Sequence, residues 1–501
     1  TGSETRAAKS EAVLSFPSVK SHQLVAKVGI SYVSIEGARK NLQTEAANAS
    51  FERVKLAAEQ SWREQLNKIE VTSDDVRSKV KFYTAMYHSF LAPHTFSDVD
   101  GAYFGADGNI QQANGYTRYT LFSLWDTFRA LHPLLTITNP GMVDDLVKSM
   151  MAFHDESGLL PTWDLMSNET DVMIGYHAVP VLVDAYLKGL TTVSAERILA
   201  ASKKSAMQSR FGIDLFAKYG YIPSELEVEA VSKTLEYAYD DWAIAQLADA
   251  INREQDYQYF SHRAQSYTAL FEHESGFMRG KDANGHWVEN FSPTHVDHRT
   301  TDYTEANAWQ YTWFVPHDVE GLINLFGSEA SFIKKLDALF TVSSAMEGDV
   351  SPDISGLIGQ YAHGNEPCHH IPYLYAYTSQ PWKGEARIRE IRETMYRDKP
   401  DGLAGNDDVG QMSSWYIFSA LGFYPVNPAN GEFVFGTPLF KEVTLNLNQG
   451  KSLTIKGHNN TGENFIEQIN LDGKLVGENH IDYTQIMAGG ELEFQFSASS
   501  N

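Results

Sequence analysis

The run VSKTLEYAYDDWAIAQLADA, residues 231–250, reads as a helix, with apolar residues recurring every three or four positions. It does not stand alone. From Asp75 to about Leu421 the same texture predicts helices over 76–91, 121–136, 142–154, 171–189, 194–209, 231–250, 256–272, 304–325, 331–341, 369–377, 384–396 and 409–421. A helical region of about 350 residues with no repeat of about 34 or 40 residues argues against a solenoid. About six helix pairs closed into a ring fit better, which makes the fold class mainly α with an (α/α)6 toroid. Loops at one end of such a ring converge on its axis, so residues distant in sequence meet in one pocket. The fold alone fixes no function, because toroids of this kind host glycosidases, lyases and cyclases.

Beyond Phe423-Tyr424-Pro425 the pattern shortens. Alternating runs at Glu432–Phe435, Val443–Leu447, Leu453–Lys456, Ile466–Leu471 and Leu492–Phe496, broken by Asn-Gly, Asn-Gln-Gly and Asp-Gly turns, predict a small β-sheet portion over 429–501. At the other end HQLVAKVGISYVS, residues 22–34, alternates like a strand that pairs with this distant unit. Phe51, Val54, Ala58, Trp62, Leu66 and Ile69 recur at helical spacing behind a possible Ser50 cap. The expected division is 1–48 as the end of an N-terminal β-sandwich and linker, 49–74 as a linker helix, 75–428 as the toroid and 429–501 as the C-terminal β-sheet portion. An incomplete sandwich of this kind would want a partner sheet.

The 501 residues carry 40 Lys+Arg against 64 Asp+Glu, a formal net charge of −24. Scattered, outnumbered basic residues exclude a phosphate-tracking nucleic-acid surface. No run of about 18 apolar residues can span a bilayer, so no membrane span is expected. Cys368 is the single cysteine and permits no internal disulfide. The opening TGSETRAAKS shows no charged and apolar signal pattern. Aromatic residues reach 12%. Most belong to a core, but rings and acidic groups together also suit a sugar cleft, where rings cover C–H faces and carboxylates bind hydroxyls.

Four segments hold more polar and aromatic residues than helix packing needs. In Ser123-Leu124-Trp125-Asp126-Thr127-Phe128-Arg129 an Asp and an Arg share a helix face beside a Trp, either as a salt bridge or as charges on a buried helix that need a reason. Glu305, among Tyr303, Trp309 and Trp313, is poorly solvated, which disfavours its charged form as a general acid requires; the plainer reading is a capping glutamate. His363-Gly364-Asn365-Glu366-Pro367-Cys368-His369-His370 lacks zinc spacing and leaves open a hard cation on oxygen ligands, or a turn held by imidazole hydrogen bonds. In Gly405-Asn406-Asp407-Asp408-Val409-Gly410-Gln411 two carboxylates start a helix whose dipole keeps them ionised as a general base or as caps. Asp98-Val99-Asp100-Gly101 and Asp107-Gly108-Asn109 read as turns, and the sequons at Asn48, Asn168 and Asn459 as chance. A raised acid facing an ionised carboxylate is the pair of glycoside hydrolysis, inverting when the carboxyls stand about 6.5–9.5 Å apart.

The blocks SLWDTFRALHPLLT (123–136), GYHAVPVLVDAYLKG (175–189), LEYAYDDWAIAQLA (235–248), YTEANAWQYTWFVPHD (303–318), GNEPCHHIPYLY (364–375) and GNDDVGQMSSWYIFSALGFYP (405–425) resemble the calcium-dependent exo-acting α-mannosidases of glycoside hydrolase family 92. The resemblance implies hydrolysis of terminal α-linked mannose from N-glycan or mannan-type glycans, with inversion. It implies Glu305 as general acid and Asp408 as general base, with Asp407 close behind. Asp126 resembles a ligand of the terminal mannose, with Trp125, Arg129 and Trp309 as further sugar contacts, and Asn365 and Glu366 resemble residues on the leaving-group side. The backbone near His369, with Asn406 and Asp408, resembles a Ca2+ site that clamps the mannose 2- and 3-hydroxyls and flattens the ring. Members favouring α-1,2 linkages often read Gly-His-Glu-Pro where this chain has Gly364-Asn365-Glu366-Pro367, which points away from α-1,2 and toward α-1,3 or another linkage. The family is bacterial and mostly periplasmic or extracellular, and its members begin with a β-sandwich domain, of which only the last strand is expected here. The competing readings are a non-catalytic glycan-binding protein, another (α/α)6 inverting glycosidase, and last a lyase, whose polyanionic substrate an acidic surface repels.

Overall fold

The computed structural model describes residues 24–298, 300–458 and 465–497; the expected sequon at Asn459 and residues 22 and 23 of the expected strand lie outside them. Helices Leu131–Thr138, Ala178–Leu187, Ala230–Ala250 and Gln411–Leu421 are buried almost all round and form the inner wall of an (α/α)6 toroid. Helices apolar on every side can only be stable inside. Ala195–Ala206, Glu254–Ala264, Glu329–Leu339 and Pro381–Thr394 each keep a polar face in solvent and make the outer layer. Gly422 ends the Gln411–Leu421 helix at φ 93°, its N–H bonded to the Phe418 carbonyl, where a Cβ would stand 2.9 Å from Pro438. No helix among the described residues is long and apolar enough to cross a membrane.

The C-terminal β portion is a six-stranded sheet in the order Ile69–Thr72, Glu442–Asn446, Ser452–His458, Gly490–Ser497, Phe465–Leu471, Lys474–Leu475. Only the Ser452–His458 and Gly490–Ser497 pair is parallel, with Ile455 opposite Leu492. Leu453, Ile455, Leu492, Phe494 and Phe496 alternate onto its buried face and join the core of the toroid. Glu432–Phe435 pairs elsewhere, between Phe423–Tyr424 and His480–Asp482.

Several expectations are corrected. Residues 24–34 form no strand, although they alternate. The sheet edge beside Glu442–Asn446 is already taken by Ile69–Thr72 of the same chain, with Val71 opposite Val443. The segment instead runs irregularly, Lys27 donating to the Ala46 and Ala47 carbonyls, into helix Ile35–Glu45 capped by Ser34. The helix behind Ser50 does form, as Phe51–Leu66, but Ile69 belongs to the strand that follows it. The 304–325 region is two helices, Ala308–Tyr311 and Val319–Leu325. Pro316 offers no N–H to a continuous helix, and Asp318 caps the second by accepting from Gly321. Likewise 121–136 is divided into strand Phe122–Ser123 and helices Leu124–Thr127 and Leu131–Thr138.

Ile69 is fully buried at the joint between toroid and sheet, whereas Val54 on the preceding helix is exposed. Ile69→Ala is therefore expected to destabilise by about 2–5 kcal/mol and Val54→Ala by less than about 0.5 kcal/mol, read from urea midpoints. Equal shifts would contradict the strand.

Candidate active site

Three segments bring carboxylates together at the ring. Asp126 stands on helix Leu124–Thr127, Glu366 opens the turn Glu366–Cys368, and Asp408 precedes helix Gln411–Leu421. One oxygen from each lies within 4.8 Å of the others. Glu305 is tied to the same place, because the Asn365 side chain donates to its carbonyl at 2.8 Å and its charge is felt at Asp126. It is not the cap of helix Ala308–Tyr311, whose capping box is Asn307 with Gln310. Glu305 and Asp408 both sit at φ 47°, and Val409 and Gly410 continue in the left-handed region at 57° and 93°. Each such non-glycine residue costs on the order of 1–3 kcal/mol and persists only where its surroundings over-determine it. At Gly410 a Cβ would fall 2.9 Å from the Ser89 Cα, so the close approach requires glycine.

Burial pushes the Asp126 carboxyl well above its usual range, and the Asp408 charge adds to this. Burial likewise raises Glu366, followed by the charges of Asp408 and Asp126. Neither Glu366 oxygen receives an N–H or O–H donor among the described residues, and its side chain faces Asp408. Asp408 is itself pushed up to about 6 by burial, a rise that the neighbouring Glu366 opposes. This corrects the expectation that the helix dipole holds Asp408 ionised: the helix begins three residues later, at Gln411, behind a left-handed turn. Asp407 does brace that helix, its Oδ1 accepting from Ser413 N at 3.1 Å and Ser413 Oγ at 2.5 Å.

Other expected site residues turn away from the carboxylates. Arg129 does not pair with Asp126; its guanidinium lies 3.7 Å from Glu236, packed against Trp125, Phe128 and Phe314. Trp125 is 1% exposed and donates its indole N–H to Glu236 at 3.0 Å, so it supports the site from behind rather than facing a sugar. Trp309 packs edge-on against Phe277 under the Lys335 ammonium. The Asn365 amide is engaged with Glu305 and with the Glu366 N–H. Asn406 is exposed and points at Asp353. His369 offers no ligand atom of its ring, since one nitrogen meets the His363 carbonyl and the other the Gln411 amide, while its own carbonyl accepts from Trp415 at 2.8 Å. His363 and His370 are also spent on hydrogen bonds, to Tyr361 and Tyr396 and to the Trp313 carbonyl, so the three imidazoles hold the turn.

Residues 37–498 match the sequence model of the glycosyl hydrolase family 92 catalytic domain. The chain belongs to that family. Among solved structures, a family 92 α-mannosidase of Bacteroides thetaiotaomicron in complex with mannoimidazole is 42% identical, with a TM-score of 0.90 over 94% of this chain and 63% of the other. An inverting family 92 mannosidase of the same organism is 34% identical, with a TM-score of 0.85 over 94% of this chain and 66% of the other. An uncharacterized secreted glycosidase of Arthroderma benhamiae is 26% identical over 93% of this chain and 60% of its own length. The chain thus spans about 60–66% of the relatives it matches.

Behind the carboxylates this family 92 domain holds a second charged layer that sequence reasoning passed over. Glu236 accepts from Trp125, Tyr311 and His177; His177 also meets Asp240 at 2.7 Å; Asp241 pairs with Arg263 and Tyr176. The signal was present as Glu236, Asp240 and Asp241 close together in a helix buried almost all round. Gln411 was missed too: its oxygen accepts from Ala130 and Leu131 while its nitrogen donates to His369. Cys368 is sealed beside them, its thiol pushed up to about 12 by burial.

Burial alone would lower the His177 pKa, but the Asp240 and Glu236 carboxylates outweigh it and push it from 6.5 up to about 9. The stability this contributes is fully present below pH about 6.5 and is lost as pH rises through about 9. His177→Gln should cost about 3–5 kcal/mol at pH about 6, the gap to the wild type narrowing above pH about 9 in urea titrations. A pH-independent gap would contradict the assigned charge.

Proposed function

We propose that this chain carries the catalytic centre of an exo-acting α-mannosidase that removes terminal α-linked mannose from glycans with inversion. The observation that carries the reading is the convergence of Glu305 with Asp126, Glu366 and Asp408 on a family 92 framework. Similarity to one α-mannosidase and one inverting mannosidase supports the substrate class and the stereochemistry.

In this reading Glu305 gives its proton to the departing glycosidic oxygen as the bond to the anomeric carbon breaks. Asp408 takes a proton from a water whose oxygen bonds to the opposite face of that carbon. Asp407, braced by Ser413, keeps the base loop in place. The released mannose has the β configuration, and proton exchange with solvent returns Glu305 to its acid form and Asp408 to its base form. Asp126 orients sugar hydroxyls, and Arg129 holds Trp125 and Glu236 behind it.

Calcium fits the donor set: three carboxylates that each turn an oxygen to one place, with both Glu366 oxygens lacking a donor among the described residues, are hard ligands with uncompensated charge. Asp126, Glu366 and Asp408 would hold it, in place of the expected His369 and Asn406. When bound it supplies positive charge to adjacent sugar hydroxyls and favours a flattened ring. The commitment of Asn365 to the Glu305 carbonyl supports a linkage preference other than α-1,2. The secreted relative supports a periplasmic or extracellular location. Exposed Leu24, Val28, Ile30, Phe51 and Leu56 support a covering N-terminal β-sandwich.

The test compares manno-disaccharides with an aryl mannoside whose phenol leaves without a proton, using the protein as its gene encodes it. Glu305→Gln is expected to lower kcat/KM roughly 10²–10⁴-fold on disaccharides and far less on the aryl substrate. Asp408→Asn should lower both. Chelation should depress turnover and added Ca2+ restore it. Mannose binding without any turnover in the wild type would favour a lectin-like role, and an unchanged Glu305→Gln variant would remove the acid assignment.

A further inference from the structure

A cavity of about 670 Å³ lies away from the carboxylates, where helices Val76–Ser89, Pro381–Thr394 and Gln411–Leu421 meet the loop Pro438-Leu439-Phe440-Lys441. Its charged lining has six basic and four acidic side chains, an inversion of the balance of a chain with net charge −24. Several of its donors lack acceptors. Among the described residues Lys81, half-buried above the Tyr416 ring, has no carboxylate within ion-pair distance and reaches only the Arg392 and Tyr396 carbonyls, at 3.3 and 3.5 Å. Arg392 is 3% exposed, with one terminal nitrogen bonded to the Ser419 and Thr437 carbonyls and its Nε unpartnered. The Tyr416 hydroxyl is buried and also without a partner. Buried donors are normally satisfied, and a cation, a guanidinium N–H and a phenol lining one cavity lack an oxygen-rich anion between them. Two of the four acids are committed elsewhere: Asp398 is engaged with Arg77, and Asp75 caps its own helix. Tyr396 lines the cavity, and its hydroxyl bridges His363 and the Met412 carbonyl, so a layer of side chains separates this place from the Glu366 turn.

We propose that this cavity is a second ligand site, for a phosphate-type oxyanion, either free or esterified to a sugar, gripped by Lys81, Arg392 and Tyr416. The volume accommodates a hexose phosphate, and the basic rim, including Arg389 and Lys441, draws an anion to an otherwise repelling surface. The site does not depend on the proposed mannosidase activity.

Calorimetric titration of the protein as its gene encodes it, in buffer free of divalent cations, tests this with inorganic phosphate, mannose 6-phosphate and mannose. Phosphate is expected to bind saturably at one site per chain, weakened roughly 10–100-fold by Lys81→Met and roughly 3–10-fold by the conservative Tyr416→Phe, with Lys456→Met as an unaffected control. Thermal melts establish that each variant is folded. Tighter binding of mannose 6-phosphate identifies a sugar ester as the ligand, and equal binding the free ion. No saturable phosphate binding, binding indifferent to both cavity variants, or equal binding of uncharged mannose at this site overturns the proposal.

Discussion

Gln411 accepts the N–H groups of Ala130 and Leu131 with its side-chain oxygen and donates from its side-chain nitrogen to His369, so one amide spans the three segments that carry the buried carboxylates. The tautomer is consistent throughout: His369 gives its other ring N–H to the His363 carbonyl and therefore presents a bare nitrogen to Gln411. From the same helix, Trp415 holds the His369 carbonyl and Ser413 holds Asp407. Asp126, Glu366 and Asp408 belong to different parts of the chain, and this shared post holds their segments together. The strained turn at Asp408, Val409 and Gly410 is then the means by which the chain enters the helix while turning one carboxylate inward.

Charge is sorted in depth. Nearest the site, three carboxyls share a poorly solvated space with little cationic compensation, a state that favours a retained proton, a bound cation or a polyhydroxylated ligand. One layer back, Glu236, Asp240 and Asp241 are matched by Arg129, His177 and Arg263. Breaking a matched buried pair is costly, which makes this layer a rigid backing for Trp125 and Arg129. An unmatched cluster in front of a matched one is the arrangement expected where the front is meant to meet something else.

Periodicity made the helices legible, because a long amphipathic or wholly apolar run has few alternatives, as 231–250 shows against the observed Ala230–Ala250. Short elements were less so. Ile69 continues the spacing of the preceding helix and still pairs in the sheet, and residues 24–34 alternate yet find the adjoining edge filled; in both cases partners distant in sequence decide. At the site, residue type was readable and direction was not. Asp126, Glu366 and Asp408 stood out by composition and do meet, while Trp125, Trp309 and His369 stood out equally and turn to Glu236, Phe277 and the His363 carbonyl. Glu236 and Gln411 were overlooked because each is unremarked as a type and acquires its part only through what the toroid brings against it.

The sealed Cys368 has a practical side. With its thiol walled off and held protonated far above neutral pH, the chain presents no natural attachment point to maleimides or iodoacetamides. Any cysteine introduced at an exposed position, such as Glu52 on the Phe51–Leu66 helix, would be the sole accessible thiol of this chain, which makes the domain a ready scaffold for single-position fluorophores or spin labels without prior removal of a native thiol.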